Sequence, residues 1–222
     1  MARIARLVVP NYPHHVIQRG NRRQEVFFSD RDKEIYLELL SQYAKEAGLL
    51  FWAWCLMTNH VHFICVPAAE GSLRMTFAET HWRYSRMVNF RYGWRGYLWQ
   101  GRFLSYVLSE AHLYAAIRYI ENNPVHAGMV KDAEDYPWSS AKAHVLKTKD
   151  ALLTKNFLED EIPDWGSYLR SGQERSERAF FEKHARTGRP LGDETFLKSL
   201  EALAGRELLK RKPGPKMKGA LN

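Results

Sequence analysis

Cysteine is close to absent from this 222-residue chain: Cys55 and Cys65 are the only two, both lie in apolar runs, and no CxxC spacing occurs. A disulfide framework and a thiolate zinc site are thereby excluded, and two buried, reduced thiols are expected. Long hydrophobic runs are also lacking. No segment approaches the roughly 20 apolar residues of a membrane span, and the apolar stretch in MARIARLVVP is far too short for a secretory leader. The expectation is a cytoplasmic protein with no membrane partner. Acidic charge is in deficit, with 33 Lys and Arg against 25 Asp and Glu and a formal net charge of +8. The preferred partners are therefore anionic, and nucleic acid leads among them. Across residues 80–109 the deficit is complete: five arginines, and no Asp, Glu or Lys. No internal repeat is present.

Against these absences stands WCLMTNHVHFICVP, residues 54–67, an apolar run carrying two histidines two apart. Successive strand side chains point to opposite faces, so His60 and His62 share one face while Val61, Phe63 and Cys65 take the other. Two neutral imidazoles on an apolar sheet are costly unless a metal, a carboxylate or a hydrogen bond satisfies them. A structural pair remains the alternative to a pair of metal ligands, and a second element has to supply the rest of a site.

The rest of the chain organises around that strand. Residues 13–20 predict a first strand, too polar to be fully covered, followed by a basic loop. Ser29 with Asp32 forms a capping box for a helix through Tyr36, Leu40 and Ala44 that Gly48 ends. Two strands, 49–57 and 60–66, meet at a tight turn and form the apolar centre of the sheet. A second helix runs from Gly71 and Ser72 to Gly93 with Leu73, Phe77, Tyr84 and Val88 on one stripe. Residues 97–108 predict a fourth strand, bent near Gly101. Ser109 opens a third helix with Leu113, Ala116, Ile117 and Ile120 inward, interrupted at Asn123-Pro124. This β-α-β-β-α-β-α order predicts an α+β, ferredoxin-like fold: a four-stranded antiparallel sheet with the histidine pair on a central strand, plus one additional helix. Two parts are expected, a catalytic domain over 1–140 and a basic helical extension over 141–222. The extension includes a helix over 194–209 and a flexible tail whose six basic residues contact nucleic acid non-specifically.

Tyr119 and Asn123 are one turn apart on the third helix, beside its apolar stripe, with His112 on the same flank. If that helix covers the face bearing His60 and His62, Asn123 offers a carbonyl oxygen as third ligand and Tyr119 reaches toward the metal. The competing assignments are a boundary tyrosine and an N-cap asparagine before Pro124. Arg83, Arg86, Arg91, Arg95 and Arg102 interleave with nine aromatics, including Trp99. That is the composition of a single-strand groove, with about half of the aromatics expected in the core. Arg19, Arg22, Arg23 and Arg189 complete the expected nucleic-acid contacts.

HVH at 60–62 together with RYIENNP at 118–124 resembles the HUH single-tyrosine transposases. PHHVIQRGNRRQEVFF near the start, YPWSS at 136–140 and TGRPLG at 187–192 resemble the bacterial REP-associated tyrosine transposases, and the likeness spans nearly the whole chain. Asn123 departs from the glutamine of many insertion-sequence relatives, and one tyrosine stands where relaxases carry a pair. The resemblance implies a metal-dependent single-strand DNA endonuclease and strand transferase. Tyr119 is its nucleophile, His60, His62 and Asn123 its ligands for Mg²⁺ or Mn²⁺, and palindromic DNA hairpins its partner. The product is a 5′-phosphotyrosine and a free 3′-hydroxyl, resealed without ATP. A self-sufficient monomer is expected, a dimer exchanging the tyrosine helix being the alternative. Two other functions compete: a DNA- or RNA-hairpin-binding protein without catalysis, and a zinc hydrolase using the HVH pair and an activated water.

Overall fold

The computed structural model describes residues 6–171, 175–185 and 187–208, without the side chains of 175–178. The expected tail past 208 lies outside the described residues. Chain order is β1 (His14–Arg19), α1 (Asp30–Ala47), β2 (Leu49–Leu56), β3 (His60–Pro67), α2 (Ser72–Tyr92), β4 (Leu104–Val107) and α3 (Glu110–Glu121). The four strands form one sheet in the order β2-β3-β1-β4, with every pairing antiparallel. This is the expected architecture.

Local chemistry sets the helix ends. At α1 the Ser29 side chain accepts from the Asp32 backbone N–H while Asp32 accepts from the Ser29 backbone N–H, and Gly48 closes the helix at φ 63°. Gly93 ends α2 in the same left-handed conformation. α1 and α2 cover one sheet face, with Tyr36, Leu40, Phe63, Phe77 and Tyr84 in a single apolar cluster. On the opposite face α3 brings Leu113, Ala116, Ile117 and Ile120 against Ile64.

Three expectations change. β1 is covered on both faces, because its polar residues find partners inside: His14 accepts from the Val9 N–H at 3.2 Å and donates to the Tyr12 carbonyl at 2.7 Å. The β2–β3 hairpin is not the centre of the sheet, since β2 lies at the edge and the central pair is β3 and β1. The fourth strand shrinks to four residues. Gly101 sits at φ 65°, and the chain before it follows β1 irregularly, through a bridge between Gly20 and Trp99.

Beyond α3 come α4 (Asn123–His126), α5 (Ala141–Leu146), α6 (Leu158–Glu161), α7 (Trp165–Arg170), α8 (Arg175–His184) and α9 (Glu194–Ala204). Leu158, Trp165, Leu169, Phe181 and Leu191 join the cluster under α3. Both sheet edges are closed by motifs of this region. Ser139 of YPWSS bridges Cys55 on β2, and Leu191 of TGRPLG bridges Leu108 beside β4, so neither edge offers an open row of backbone groups. No helix among the described residues is long and apolar enough to cross a membrane. Both cysteines are free and buried, and burial pushes each thiol well above its ordinary pKa.

Candidate active site

β1 and β3 pair so that Ile17 faces His62 and Arg19 faces His60. The α3 side of the sheet therefore carries His15, Arg19, His60 and His62 together. Tyr119 projects from α3 onto this patch: its ring centroid lies 5.7 Å from that of His62, edge to face. The His60 and His62 rings are 5.0 Å apart. Tyr119 is only 6% exposed and belongs to the core cluster of α3, not to a flank beside it. Phe181 of α8 stacks on its ring at 5.1 Å.

Each histidine is held through Nδ1 by a neighbour, and at His60 the neighbour also sets the tautomer. Nδ1 of His60 lies 2.6 Å from the Asn59 side-chain oxygen, which only accepts, so Nδ1 donates and Nε2 is left with its lone pair. Nδ1 of His62 meets Nε2 of His15 at 2.9 Å, and Nδ1 of His15 meets the Tyr106 hydroxyl at 2.7 Å. Nε2 of His62 is buried and has no hydrogen-bond partner among the described residues. All three imidazoles are held neutral. Burial, then Arg19, lowers His60 to about 4. Burial, then His184, lowers His15 to about 3. Burial, then His60, His15 and Arg19, pushes His62 well below the ordinary histidine range. His60 and His62, each with Nδ1 held by a neighbour, could present Nε2 to a metal ion, whereas both nitrogens of His15 are engaged.

Among the described residues no cluster of three His, Cys, Asp or Glu forms a ready metal cage, so a third protein ligand would have to be of another type. Asn123 opens α4, and its amide nitrogen donates to the Ile120 carbonyl at 3.3 Å. That bond uses the nitrogen and not the oxygen a metal would take. A cavity of about 910 Å³ opens over His62 and Tyr119, lined also by Arg19, Arg22, Arg23 and Arg102 and by Glu182 of α8. His112 is turned elsewhere, its Nδ1 within 2.8 Å of the Ser109 hydroxyl.

The other expected contacts divide. Arg86 and Arg95 line a second, aromatic cavity with Trp99. Arg83 reaches Glu79 at 3.8 Å. Arg91 is engaged at 2.6 Å by Asp32, whose side chain is fully buried. Arg189 donates to the Leu208 carbonyl at 3.0 Å and so ties the segment between α8 and α9 to the segment that follows α9. Of the nine aromatics, Tyr84, Trp99, Phe103 and Tyr106 are core, while Trp82, Phe90, Tyr92, Trp94 and Tyr97 are exposed.

Sequence reasoning missed His15, Phe181 and Glu182. His15 carried a signal, since strand parity places it with Arg19, but its contact with His62 depends on strand register. Phe181 and Glu182 had none, because nothing local says that α8 folds back over α3.

The family model for IS200-like transposases matches residues 8–123, just over half of the chain. In fold, the chain is similar to a REP-associated tyrosine transposase solved bound to a REP hairpin, at a TM-score of 0.54 and 18% identity, covering 70% of this chain and 93% of that one. A candidate transposase from Deinococcus radiodurans R1 aligns at 21% identity over 55% of this chain and 97% of its own, with a TM-score of 0.39 that is too low to carry an argument. No curated protein matches the sequence significantly.

Proposed function

The chain belongs to the IS200-like transposase family, and on that premise we propose that it is a metal-dependent single-strand DNA endonuclease and strand transferase of the REP-associated tyrosine type. The observation that carries this reading is the bare, buried Nε2 of His62, beside His60 and 5.7 Å between ring centroids from Tyr119. His60 and His62, with the side-chain oxygen of Asn123, would hold Mg²⁺ or Mn²⁺; the chemistry supplied by the bound ion is Lewis-acid stabilisation of the non-bridging phosphate oxygens. The Tyr119 hydroxyl gives up its proton and its oxygen forms a bond to the scissile phosphorus as the bond to the 3′-oxygen breaks; that oxygen takes up a proton and leaves as a 3′-hydroxyl, so the proton count is unchanged. A 5′-phosphotyrosine remains. Attack by another 3′-hydroxyl reverses the sequence and rejoins DNA without ATP, the ester having kept the bond energy. Arg19, Arg22, Arg23 and Arg102 supply the positive charge that orients the strand over the cavity.

The substrate is a single strand beside a palindromic hairpin, met in the cytoplasm. A monomer suffices, because His60, His62 and Tyr119 meet within one chain. The second reading, a hairpin-binding protein without catalysis, draws on the burial of Tyr119 beneath Phe181.

Hairpin oligonucleotides labelled at either end, incubated with Mn²⁺ or Mg²⁺ and run on a denaturing gel, separate the two. A metal-dependent covalent adduct that keeps the 3′ label and is missing in Tyr119→Phe is the expected result. Binding without an adduct in any metal favours the non-catalytic reading, and cleavage without an adduct points to an activated water.

A further inference from the structure

Five of the exposed large apolar side chains, Trp82, Phe90, Tyr92, Trp94 and Tyr97, crowd into one 16-residue stretch. They belong to the C-terminal half of α2 and the loop that follows. That loop is folded back on the helix: Gly93 and Gly96 adopt φ 63° and 100°, the Trp94 N–H donates to the Asn89 carbonyl, and the Asn89 amide donates to the Gly96 carbonyl at 3.0 Å. Tyr92 and Trp94 are spent on each other, stacked at 4.8 Å, and on Phe28. Phe90 and Tyr97 are not. They are 90% and 86% exposed, and no described ring stacks on either. A soluble protein that holds two aromatic faces open beside a cavity of about 790 Å³ has built a surface for a planar apolar partner.

The surrounding charge says which one. Among the described residues Arg86 and Arg95 line the cavity and no acidic residue does, and the indole of Trp99 forms part of its wall with an N–H that meets no described acceptor. Shared lining residues connect this cavity, through a smaller neighbouring one, to the candidate active site. The Asn21 N–H donates to the Leu98 carbonyl and the Gln100 N–H to the Arg19 carbonyl, both at 2.8 Å, which lays the aromatic loop along the basic turn after β1. Arg22 lines both the space next to Tyr97 and the cavity over His62 and Tyr119.

We infer that the aromatic cavity is a nucleobase pocket: it takes unpaired bases of the single strand adjoining the hairpin, stacked on Phe90 and Tyr97, while Arg86, Arg95 and Arg22 follow the phosphates toward Tyr119. This rests on the strand-transferase reading above for the identity of the ligand. Stacking on an aromatic face tolerates any base, so the pocket contributes affinity and register more than sequence choice.

The test uses the full-length chain without divalent metal, so that no cleavage occurs, and synthetic DNA hairpins carrying 2-aminopurine at successive positions of a single-stranded flank. Fluorescence quenching at one or two adjacent flank positions is expected. It should vanish in the Phe90→Ala/Tyr97→Ala double variant, with Kd rising about five- to a hundredfold. Both rings are almost wholly exposed, so the variant's melting temperature should match wild type. Quenching that survives in the double variant overturns the pocket, as does equal affinity when the flank is made double-stranded. A wild-type dimer that the double variant dissolves would assign the rings to self-association and also overturn it. The adduct assay keeps the two readings apart. An adduct without flank quenching removes the pocket alone, whereas quenching that depends on Phe90 and Tyr97 without any adduct keeps the pocket and removes the strand transferase.

Discussion

Glu121→Ala should destabilise the protein by about 3–5 kcal/mol, a loss in the range seen when one partner of a buried ion pair is removed. Glu121 ends α3 two residues after Tyr119, and its carboxylate is fully buried. Its Oε2 accepts from the Trp165 indole N–H at 2.7 Å; its Oε1 accepts from Nδ1 of His144 at 2.7 Å and from the Ser140 hydroxyl. One side chain thus ties the tyrosine helix to YPWSS, α5 and α7. On removal, Ser140 has a second acceptor in the Trp54 carbonyl at 3.2 Å, and His144 can lose its proton. The Trp165 N–H has neither escape, and an unsatisfied buried donor costs about 1–3 kcal/mol. For a chain of this size the total corresponds to a melting temperature lower by roughly 6–20 °C.

The pH dependence gives a second, independent check. Burial lowers the His144 pKa, but Glu121, with smaller contributions from Glu159 and Asp150, outweighs it and the net shift is upward. A histidine raised in the folded state contributes stability that is complete below its unfolded pKa of about 6.5 and is lost as pH rises through the folded value. Glu121→Gln removes the charge, so the gap in melting temperature between it and wild type should be widest near pH 6 and narrow as pH rises. Thermal melts of the three proteins by circular dichroism at pH 6, 7 and 8.5 measure both effects. A Glu121→Ala protein melting within 2 °C of wild type, or a gap independent of pH, would refute the account.

His15→Gln should weaken Mn²⁺ binding about 10- to 100-fold by titration calorimetry while leaving His60, His62 and Asn123 in place, because it removes the imidazole that anchors Nδ1 of His62. Unchanged affinity would show that His62 needs no such anchor. Stability should fall steeply as pH drops from about 6.5 toward 4, since His14 and His60 are lowered to about 4 and His15 and His81 to about 3, in each case chiefly by burial. Each such group costs up to about 1.4 kcal/mol per pH unit in that window, and a chain that stays folded to pH 3 in acid titration would contradict the burial. Arg22→Ala should weaken hairpin binding and reduce the salt slope by about 0.7. Arg91→Ala should chiefly lower the melting temperature, because its guanidinium is already held by Asp32; the reverse order of effects in filter binding and melting would show that Arg91, not Arg22, faces the strand.

The expected architecture depended on signals that act over a few residues. The Ser29–Asp32 capping box, Gly48 and Gly93 at φ near 63°, and the stripe from Leu73 to Val88 all lie where local patterning put them. The parity of His60 and His62 is of the same kind, since strand geometry places alternate residues on one face wherever the strand goes. Polarity misled at β1. A strand containing two histidines, a glutamine and an arginine suggested partial exposure, but His14 is satisfied by the backbone of residues 9 and 12, and His15 by side chains 47 and 91 positions away.

By itself, the sequence determined the β-α-β-β-α-β-α order, the basic balance that favours an anionic partner, and the residue types on which the proposed strand-transfer site rests. Those are properties of composition and of period, written in neighbouring residues. Tertiary structure alone decided which of them meet. Antiparallel register set His15 against His62, the return of α8 laid Phe181 on Tyr119, and burial of Asp32 drew Arg91 out of the basic surface. It also turned YPWSS and TGRPLG from motifs of unstated purpose into closures of the two sheet edges. Each of these rests on contacts between residues tens of positions apart, and no local periodicity encodes them.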